Sequence, residues 1–498
     1  MKKLKELLSD TLIYGISSVL ARFINYLLVP FHTDVFRPAQ YGIVGLIYAA
    51  IAFLNIVFTF GMESAYLRYA KDRDGARNVF KTLQLGLLAT ASLLALLLWV
   101  GAPYLMPLMS LDTGTESIYL LMIAILWFDT LSIVPFAELR LVRRSWLFAM
   151  LRTGNVLINL GLNFYLILSL GWGIEAVFWA NAAASGVTTV VLWVITADML
   201  DGRWTTPLFR RALKFGLPFI PAGIGYAVNE MLDRFFLNNY LSPEAVETIY
   251  GAGYTPEAVV GIYNACYKLA VFMLLFVQMF RMAWQPFFMR HSDDENAKAL
   301  FGDVFLYFNL FAGVVFLIVA LFVDQIVQIR IPLLNAFLIG KEYWVGLHIV
   351  PLLLGAYWFQ GWYVNFSAGI FIEEETKILP QITLAGAAIT IIANLVLIPH
   401  LGMMGSATAT LVSYAAMALL LFRRSNRVFP VPYAVGRAGL MVVVAAGSVI
   451  VQPQVIQWVD SEWTANILLL LVGTISLGLL GAKNNPKVFS DMPGGSSR

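Results

Sequence analysis

Thiol and imidazole chemistry have almost no foothold in this chain: it has one cysteine, Cys266, and four histidines, His32, His291, His348 and His400, that lie far apart. A single thiol excludes a disulfide within one chain, and no Cys/His cluster has the spacing of a structural zinc site. The histidines form no acid/base pair of the kind an enzyme would need. Charge is scarce too, at 13% of residues, and a net +3 is spread along the sequence. Nucleic acid, which requires a concentrated basic field, is excluded as a partner. What fills the sequence is apolar: 59% hydrophobic residues and a mean hydropathy of +0.76. Such a composition cannot cover a water-facing surface, so the solvent for most of the chain is lipid.

Crossing a bilayer takes about 20 apolar residues in helical form, because the backbone must satisfy itself there. Fourteen stretches meet that length, so the expected fold is an all-α polytopic membrane protein. The first seven run Thr11 to Phe31, Tyr41 to Phe60, Leu83 to Tyr104, Ile118 to Ala137, Phe148 to Leu170, Ala176 to Ala197 and Leu213 to Leu237. The second seven run Val259 to Phe280, Phe301 to Val323, Trp344 to Ile372, Ile378 to Ile398, Met403 to Phe422, Val435 to Val451 and Trp463 to Leu480. Lys2, Lys3 and Lys5 precede the first stretch, but no small-residue cleavage site follows it, so it reads as a retained span rather than a signal peptide. Alternate loops divide the basic residues sharply: one set, with both termini, holds 26 of the 33, and the other only Arg37, Arg330 and Lys341. Basic residues collect on the cytoplasmic side, which places both termini there. No loop is large enough for a soluble domain, so function belongs in the helix bundle. The longest outer loop, Asn238 to Ala258, reads as a surface turn in preference to a lid.

One internal repeat is visible. NFYLILSLGWGIEA, from Asn163 to Ala176, aligns without gaps on NLVLIPHLGMMGSA, from Asn394 to Ala407, pairing Asn163 with Asn394 and Gly171 with Gly402. Each copy occupies the same place in a unit of six spans. Because six is even, the two units enter the membrane in the same direction, as a parallel repeat. The expected organisation is a six-helix lobe over 1–200, a second over 201–428, two further helices over 429–482 and a cytoplasmic tail over 483–498, with a central cavity between the lobes.

Charges within spans cost about 2.5–3.5 kcal/mol each on insertion scales and mark candidate sites. In the first span Arg22 and Asn25 share a face with Thr11, Gly15 and Ser18; in the eighth, Asn264 and Lys268 lie one turn apart. Two cations facing one cavity suit a diphosphate, the guanidinium as a planar fork and the ammonium as a point charge. Arg152, Asn155, Asn159 and Asn163 form a polar stripe along the fifth span, suited to sugar hydroxyls or to hydrogen bonds between helices. Asp129 stands alone in the fourth. Glu230 and Asp233 are near neighbours in the seventh, which opens on Gly216, Pro218 and Pro221, residues that break helical hydrogen bonding. These three acids are the candidates for proton or sodium coupling; no other cofactor and no metal site is expected. In the tenth span YWFQGWYVNFS, Tyr357 to Ser367, could stack on sugars or form an interfacial belt.

Several segments in order resemble the polysaccharide-transporter, or Wzx-like flippase, family of the multidrug/oligosaccharidyl-lipid/polysaccharide exporter superfamily. They are GMESAYLRYA (Gly61 to Ala70), KFGLPFIPAG (Lys214 to Gly223), DRFFL (Asp233 to Leu237), VGIYNACYKLA (Val260 to Ala270), AWQPF (Ala283 to Phe287) and NLVLIPHLGMMGSATAT (Asn394 to Thr410). The resemblance implies two six-helix lobes, alternating access and no enzymatic activity. It implies an undecaprenyl-diphosphate-linked oligosaccharide as cargo in a bacterial inner membrane, for surface polysaccharide such as the O-antigen of lipopolysaccharide. Polymerase and chain-length machinery are the implied partners beside membrane lipids. It carries diphosphate contact to Arg22 and Lys268. The outer loop after DRFFL is longer than the family leads one to expect, and Glu373, Glu374 and Glu375 stand in a loop where acids are not expected. An ion-coupled multidrug exporter of the same superfamily is the nearest alternative. A major-facilitator transporter, suggested by DRDGAR at Asp72 to Arg77, and a polytopic polymerase are more distant.

Overall fold

A computed structural model describes residues 26, 28–70, 75–112, 114–332 and 334–482. The principal helices are α1 (Leu28–Val35), α2 (Pro38–Thr59), α3 (Met62–Tyr69), α4 (Ala76–Val100), α5 (Glu116–Leu141), α6 (Ser145–Phe164), α7 (Glu175–Ile195), α8 (Thr206–Gly216) and α9 (Phe219–Tyr240). They continue with α10 (Pro243–Tyr250), α11 (Pro256–Arg290), α12 (Ala297–Leu321), α13 (Val350–Ile372), α14 (Ile378–Leu401), α15 (Met403–Val428), α16 (Val435–Val459) and α17 (Glu462–Gly481). A two-stranded hairpin, Arg330–Ile331 with Ala336–Phe337, is the sheet among the described residues. Ten described helical segments are long and apolar enough to cross a membrane. Three more helices, α6, α9 and α13, stand where the fifth, seventh and tenth spans are expected; their Asn, charged and aromatic residues lower the hydropathy. The protein is an all-α, multi-pass membrane protein. Most of the first expected span, including Arg22 and Asn25, lies outside the described residues.

The seventh span begins later than the apolar run indicates. Leu213 lies in α8, and α9 starts only at Phe219, after Pro218. Proline removes a backbone donor and collides with the preceding turn, so one apolar run becomes two helices. The long outer loop is also more ordered than a turn: Pro243–Tyr250 is helical, capped by Ser242, whose hydroxyl accepts from the Ala245 N–H.

The chain divides into two compact units. The first comprises residues 1–268, 327–346 and 383–410. Glycines let α2 and α11 cross closely: a Cβ on Gly42 of α2 would stand 1.9 Å from the Glu257 carbonyl oxygen, and one on Gly261 of α11 1.9 Å from that of Pro38. Gly61, held at φ +70°, and Gly216 bring the GMESAYLRYA and KFGLPFIPAG segments into backbone contact. An apolar cluster around Tyr66, Phe80, Leu83 and Val134 fills the space among α3, α4, α5 and α8.

The two copies of the repeat also match in geometry. Gly171 and Gly402 both take left-handed backbone, at φ +67° and +53°. Asn163 and Asn394 are both fully buried, and each donates to the carbonyl four residues earlier, at 2.9 and 2.7 Å. Their surroundings differ. Asn163 meets the His32 ring at 3.0 Å, and nothing lies within 4 Å of a Cβ built on Gly171. The Asn394 oxygen has no hydrogen-bond partner among the described residues, and the Tyr250 hydroxyl of α10 covers Gly402, accepting from the Met403 N–H at 2.7 Å. Burial raises the Tyr250 phenol to about 12, so this contact stays neutral.

The second unit comprises residues 269–326, 347–382 and 411–498. Its centre is the YWFQGWYVNFS segment. The indole N–H groups of Trp358 and Trp362 both donate to the Asn309 amide oxygen, at 2.9 and 2.6 Å, and Phe305, Phe366 and Tyr433 pack around them. These two rings are therefore committed to the helix core. Helices α16 and α17 pack on α12, where Leu477 fits against Gly313 and Leu317 against Gly473. Their other faces are apolar and exposed, with Trp458 and Trp463 at the turn between them.

Candidate functional site

A polar cavity of about 200 Å³ lies within the first unit, among α2, α5, α6 and α7. It gathers sequence positions that no local pattern connects. Helix α5 supplies Asp129, with Ser132, Ile133 and Phe136 one and two turns on. Helix α6 supplies Arg152 and Asn155, and α7 supplies Asn181, Ser185 and Thr188, spaced i, i+4, i+7 on one face. Asn55 of α2 completes the lining.

The polar groups are only partly satisfied by one another. Asp129 accepts from the Ser185 hydroxyl at 2.7 Å, and Asn155 donates to the Thr188 hydroxyl at 3.0 Å. Asn181 donates to Tyr48 at 3.1 Å. Arg152 places its guanidinium 4.2 Å from the centre of the Phe136 ring and 5.7 Å from that of Phe148. It has no hydrogen bond or ion pair with any described residue. The Asn55 amide oxygen is buried with no hydrogen-bond partner among the described residues. A cavity of this volume has room for roughly half a dozen waters at about 30 Å³ each. It can take a hydrated ion or one polar group of a larger molecule, and is too small for an oligosaccharide.

The fifth-span stripe thus divides in two. Arg152 and Asn155 line the cavity, whereas Asn159 accepts from Asn163 at 2.8 Å, and Asn163 reaches His32. The lower half serves hydrogen bonding between side chains and helices.

Glu230 and Asp233 of α9 lie in a second charged cluster, built with Arg234 and two tyrosines of α11. Arg234 donates to Asp233 at 2.7 Å and to the Glu230 carbonyl oxygen. Tyr263 donates to the other Asp233 oxygen at 2.6 Å, and Tyr267 to Glu230 at 3.1 Å. The guanidinium also lies 4.4 Å from the Tyr267 ring centre. All three charged residues are at most 5% exposed, so the cluster is dry and internally paired. Lys268 follows on α11, half-buried, without a hydrogen bond or ion pair to a described residue. Asn264 packs its amide 3.2 Å from where a Cβ on Gly45 would stand, at the α2 crossing.

Asn55, Ser132, Asn181, Ser185 and Thr188 were not among the expected site residues. The α7 spacing carries a readable signal, but without a charge it attracts no notice. Asp129 reads as solitary because its partner Ser185 is 56 residues away.

A family model described as polysaccharide biosynthesis protein matches residues 7–292, more than half of the 498. The chain belongs to this family. A comparison with curated proteins finds no match. Among solved structures, this polysaccharide biosynthesis family member is similar to the lipid II flippase MurJ in an inward closed conformation. The TM-score is 0.67 at 13% identity, over 94% of this chain and 98% of that one. It is similar also to an inward-facing multidrug resistance MATE family transporter of the MOP superfamily, with a TM-score of 0.61 at 15% identity, over 84% and 94% of the two chains. An outward-facing transporter of that kind gives 0.54 at 15% identity, over 85% and 94%. At such identities the likeness establishes the fold: this family member has the helical architecture of MOP-superfamily transporters.

Proposed function

We propose that this protein is a flippase that carries an undecaprenyl-diphosphate-linked oligosaccharide from the cytoplasmic to the outer leaflet of a bacterial inner membrane, for surface polysaccharide assembly. Family membership and the transporter fold support the class. The observation that carries the site is Arg152: an exposed guanidinium lining a polar cavity among the helices, stacked on Phe136, with its donors free of any described acceptor. Such a group favours an anionic or strongly hydrogen-bonding portion of the cargo. Asn155, Asn181 and Thr188 would help Arg152 hold that one portion, with the rest of the oligosaccharide outside the cavity. The lobes would be 1–200 and 201–428, working by alternating access, with 429–482 as added helices and both termini cytoplasmic. Arg22, Asn25, Lys268 and Asn264 remain proposed contacts along the cargo's path, Arg22 and Lys268 for the diphosphate. The polymerase and chain-length machinery would receive the flipped product. Asp129 is the acid best placed for proton or sodium coupling, since it lines the same cavity as Arg152.

The multidrug-exporter reading calls for a compact apolar pocket, which the lining of this cavity disfavours. The test is reconstitution into proteoliposomes with a fluorescent polyprenyl-diphosphate glycan. Wild type should move it across the bilayer, Arg152→Lys should keep part of the rate, and Arg152→Gln should lose at least tenfold. Full activity of Arg152→Gln would remove the site assignment, and drug transport without glycan movement would remove the flippase reading.

A further inference from the structure

Helix α8 is set apart from the rest of the first unit by its sharp division of faces. Leu208, Phe209, Ala212 and Leu213 face the protein, with the Phe209 ring occupying the space of a Cβ on Gly86 of α4. The opposite arc presents Arg210, Arg211 and Lys214, all exposed. Residues 206–216 contain no acid, and none of the three cations has an ion pair with a described residue. The nearest acids in sequence are Asp198, which pairs with Arg77 at 3.9 Å, and Asp201.

The helix is fixed in place. Just before it, the Arg203 N–H donates to Asn78 at 2.6 Å and the Thr205 N–H to Thr82 at 3.0 Å, both on α4. Gly202 lies against the Arg77 backbone with no room for a side chain: a Cβ built there would stand 2.2 Å from the Arg77 carbonyl oxygen. The chain leaves one span at Ile195 and enters the next helix at Phe219, so a body of about 10 Å diameter is held at the level where apolar spans end. That level is the headgroup layer. Trp204, 44% exposed with its indole N–H bonded to Thr206, has the amphipathic character of residues that settle there.

We infer that the exposed face of α8 is a docking surface for anionic phospholipid headgroups, with Arg210, Arg211 and Lys214 meeting phosphate and Trp204 marking the interface. The rigid attachment to α4 removes the ordering cost that a mobile basic loop would bear. Each cation close to an anionic surface strengthens binding about fivefold, an effect that falls off within a Debye length and weakens in salt. A basic ridge without internal counter-ions thus selects anionic over zwitterionic lipid.

The experiment uses the purified full chain in nanodiscs of phosphatidylcholine, alone or mixed with phosphatidylglycerol. Native mass spectrometry counts retained lipid, and a photoactivatable phosphatidylglycerol maps contacts. Wild type should retain phosphatidylglycerol over phosphatidylcholine by at least the roughly fivefold that one cation supplies at low salt. The preference should fall as salt rises, with cross-links on residues 204–214. Arg210→Gln/Arg211→Gln/Lys214→Gln should abolish the preference, and Arg210→Lys/Arg211→Lys should keep it. Lys377→Gln/Arg423→Gln/Arg427→Gln, which removes equal charge from the second unit, should also keep it. No preference in wild type, cross-links confined elsewhere, or equal loss in both triple variants would overturn the assignment. A preference for an acidic peptide in place of lipid would overturn it as well. The wild-type salt and cross-linking results decide the matter even if the α8 triple variant fails to fold.

Discussion

Two charged groups lie inside the apolar helices of the first unit, and they are built in opposite ways. Around Arg234 every charge meets a counter-charge or a phenol: Asp233, Glu230, Tyr263 and Tyr267 close on one another at hydrogen-bond distances. Around Asp129 and Arg152 the charges share a cavity, and Arg152 stacks on a ring instead of pairing with an acid. Burying unpaired charge is expensive, so the first arrangement is what a helix bundle needs to stay assembled. The second leaves hydrogen-bonding capacity unused, which makes sense if something else occupies it. Two sets of intramembrane charges that look equally suspicious in a sequence thus divide into one that holds helices together and one that is available.

That division can be broken by measuring stability and transport on the same variants. The largest loss is expected for Asp233→Asn, which takes the anionic partner from Arg234: about 3–5 kcal/mol, read as a lowered thermal midpoint in detergent. Tyr263→Phe removes a hydrogen bond to the same carboxylate and should cost about 1.5–3 kcal/mol by the same measurement. Arg152→Gln should cost under about 1 kcal/mol of stability, the worth of a partly exposed cation over a ring, while transport collapses. Asp129→Asn should be milder still, within about 0.5 kcal/mol, because the amide oxygen can go on accepting from Ser185; it should nevertheless remove any dependence of transport on an ion gradient. If the cavity variants unfold the protein as readily as Asp233→Asn, or if Asp233→Asn is harmless, the contrast fails.

Much of the fold was legible because hydropathy and loop charge are one-dimensional signals. Most of the described spans and the repeated Asn–Gly pattern could be read directly, since each depends on neighbours in the chain, whereas the seventh span reads as one apolar run although the chain breaks it at Pro218. The unequal treatment of the two repeat copies could not. His32 reaches Asn163 across 131 residues and Tyr250 reaches Met403 across 153, and nothing in either local sequence announces its partner. The site was half legible for the same reason. Arg152, Asn155 and Asp129 stand out as polar groups in lipid, but only folding shows that they share a space with Asn181, Ser185 and Thr188. The tenth-span aromatics show the converse: a composition suited to sugar stacking, in which the two central indoles are bound to Asn309.

The placement of the tryptophans has an optical consequence. Trp358 and Trp362 are buried with bonded N–H groups, while Trp458 and Trp463, 85% and 59% exposed, sit at the turn joining α16 to α17. Brominated lipids, which extinguish emission on contact, would spare the first pair and darken the second. Trp99, Trp146, Trp172, Trp179 and Trp204 are exposed as well, so an emission spectrum that shifts to the blue under such quenching would report the lipid-accessible indoles as a group against the buried pair, with no dye attached to the protein.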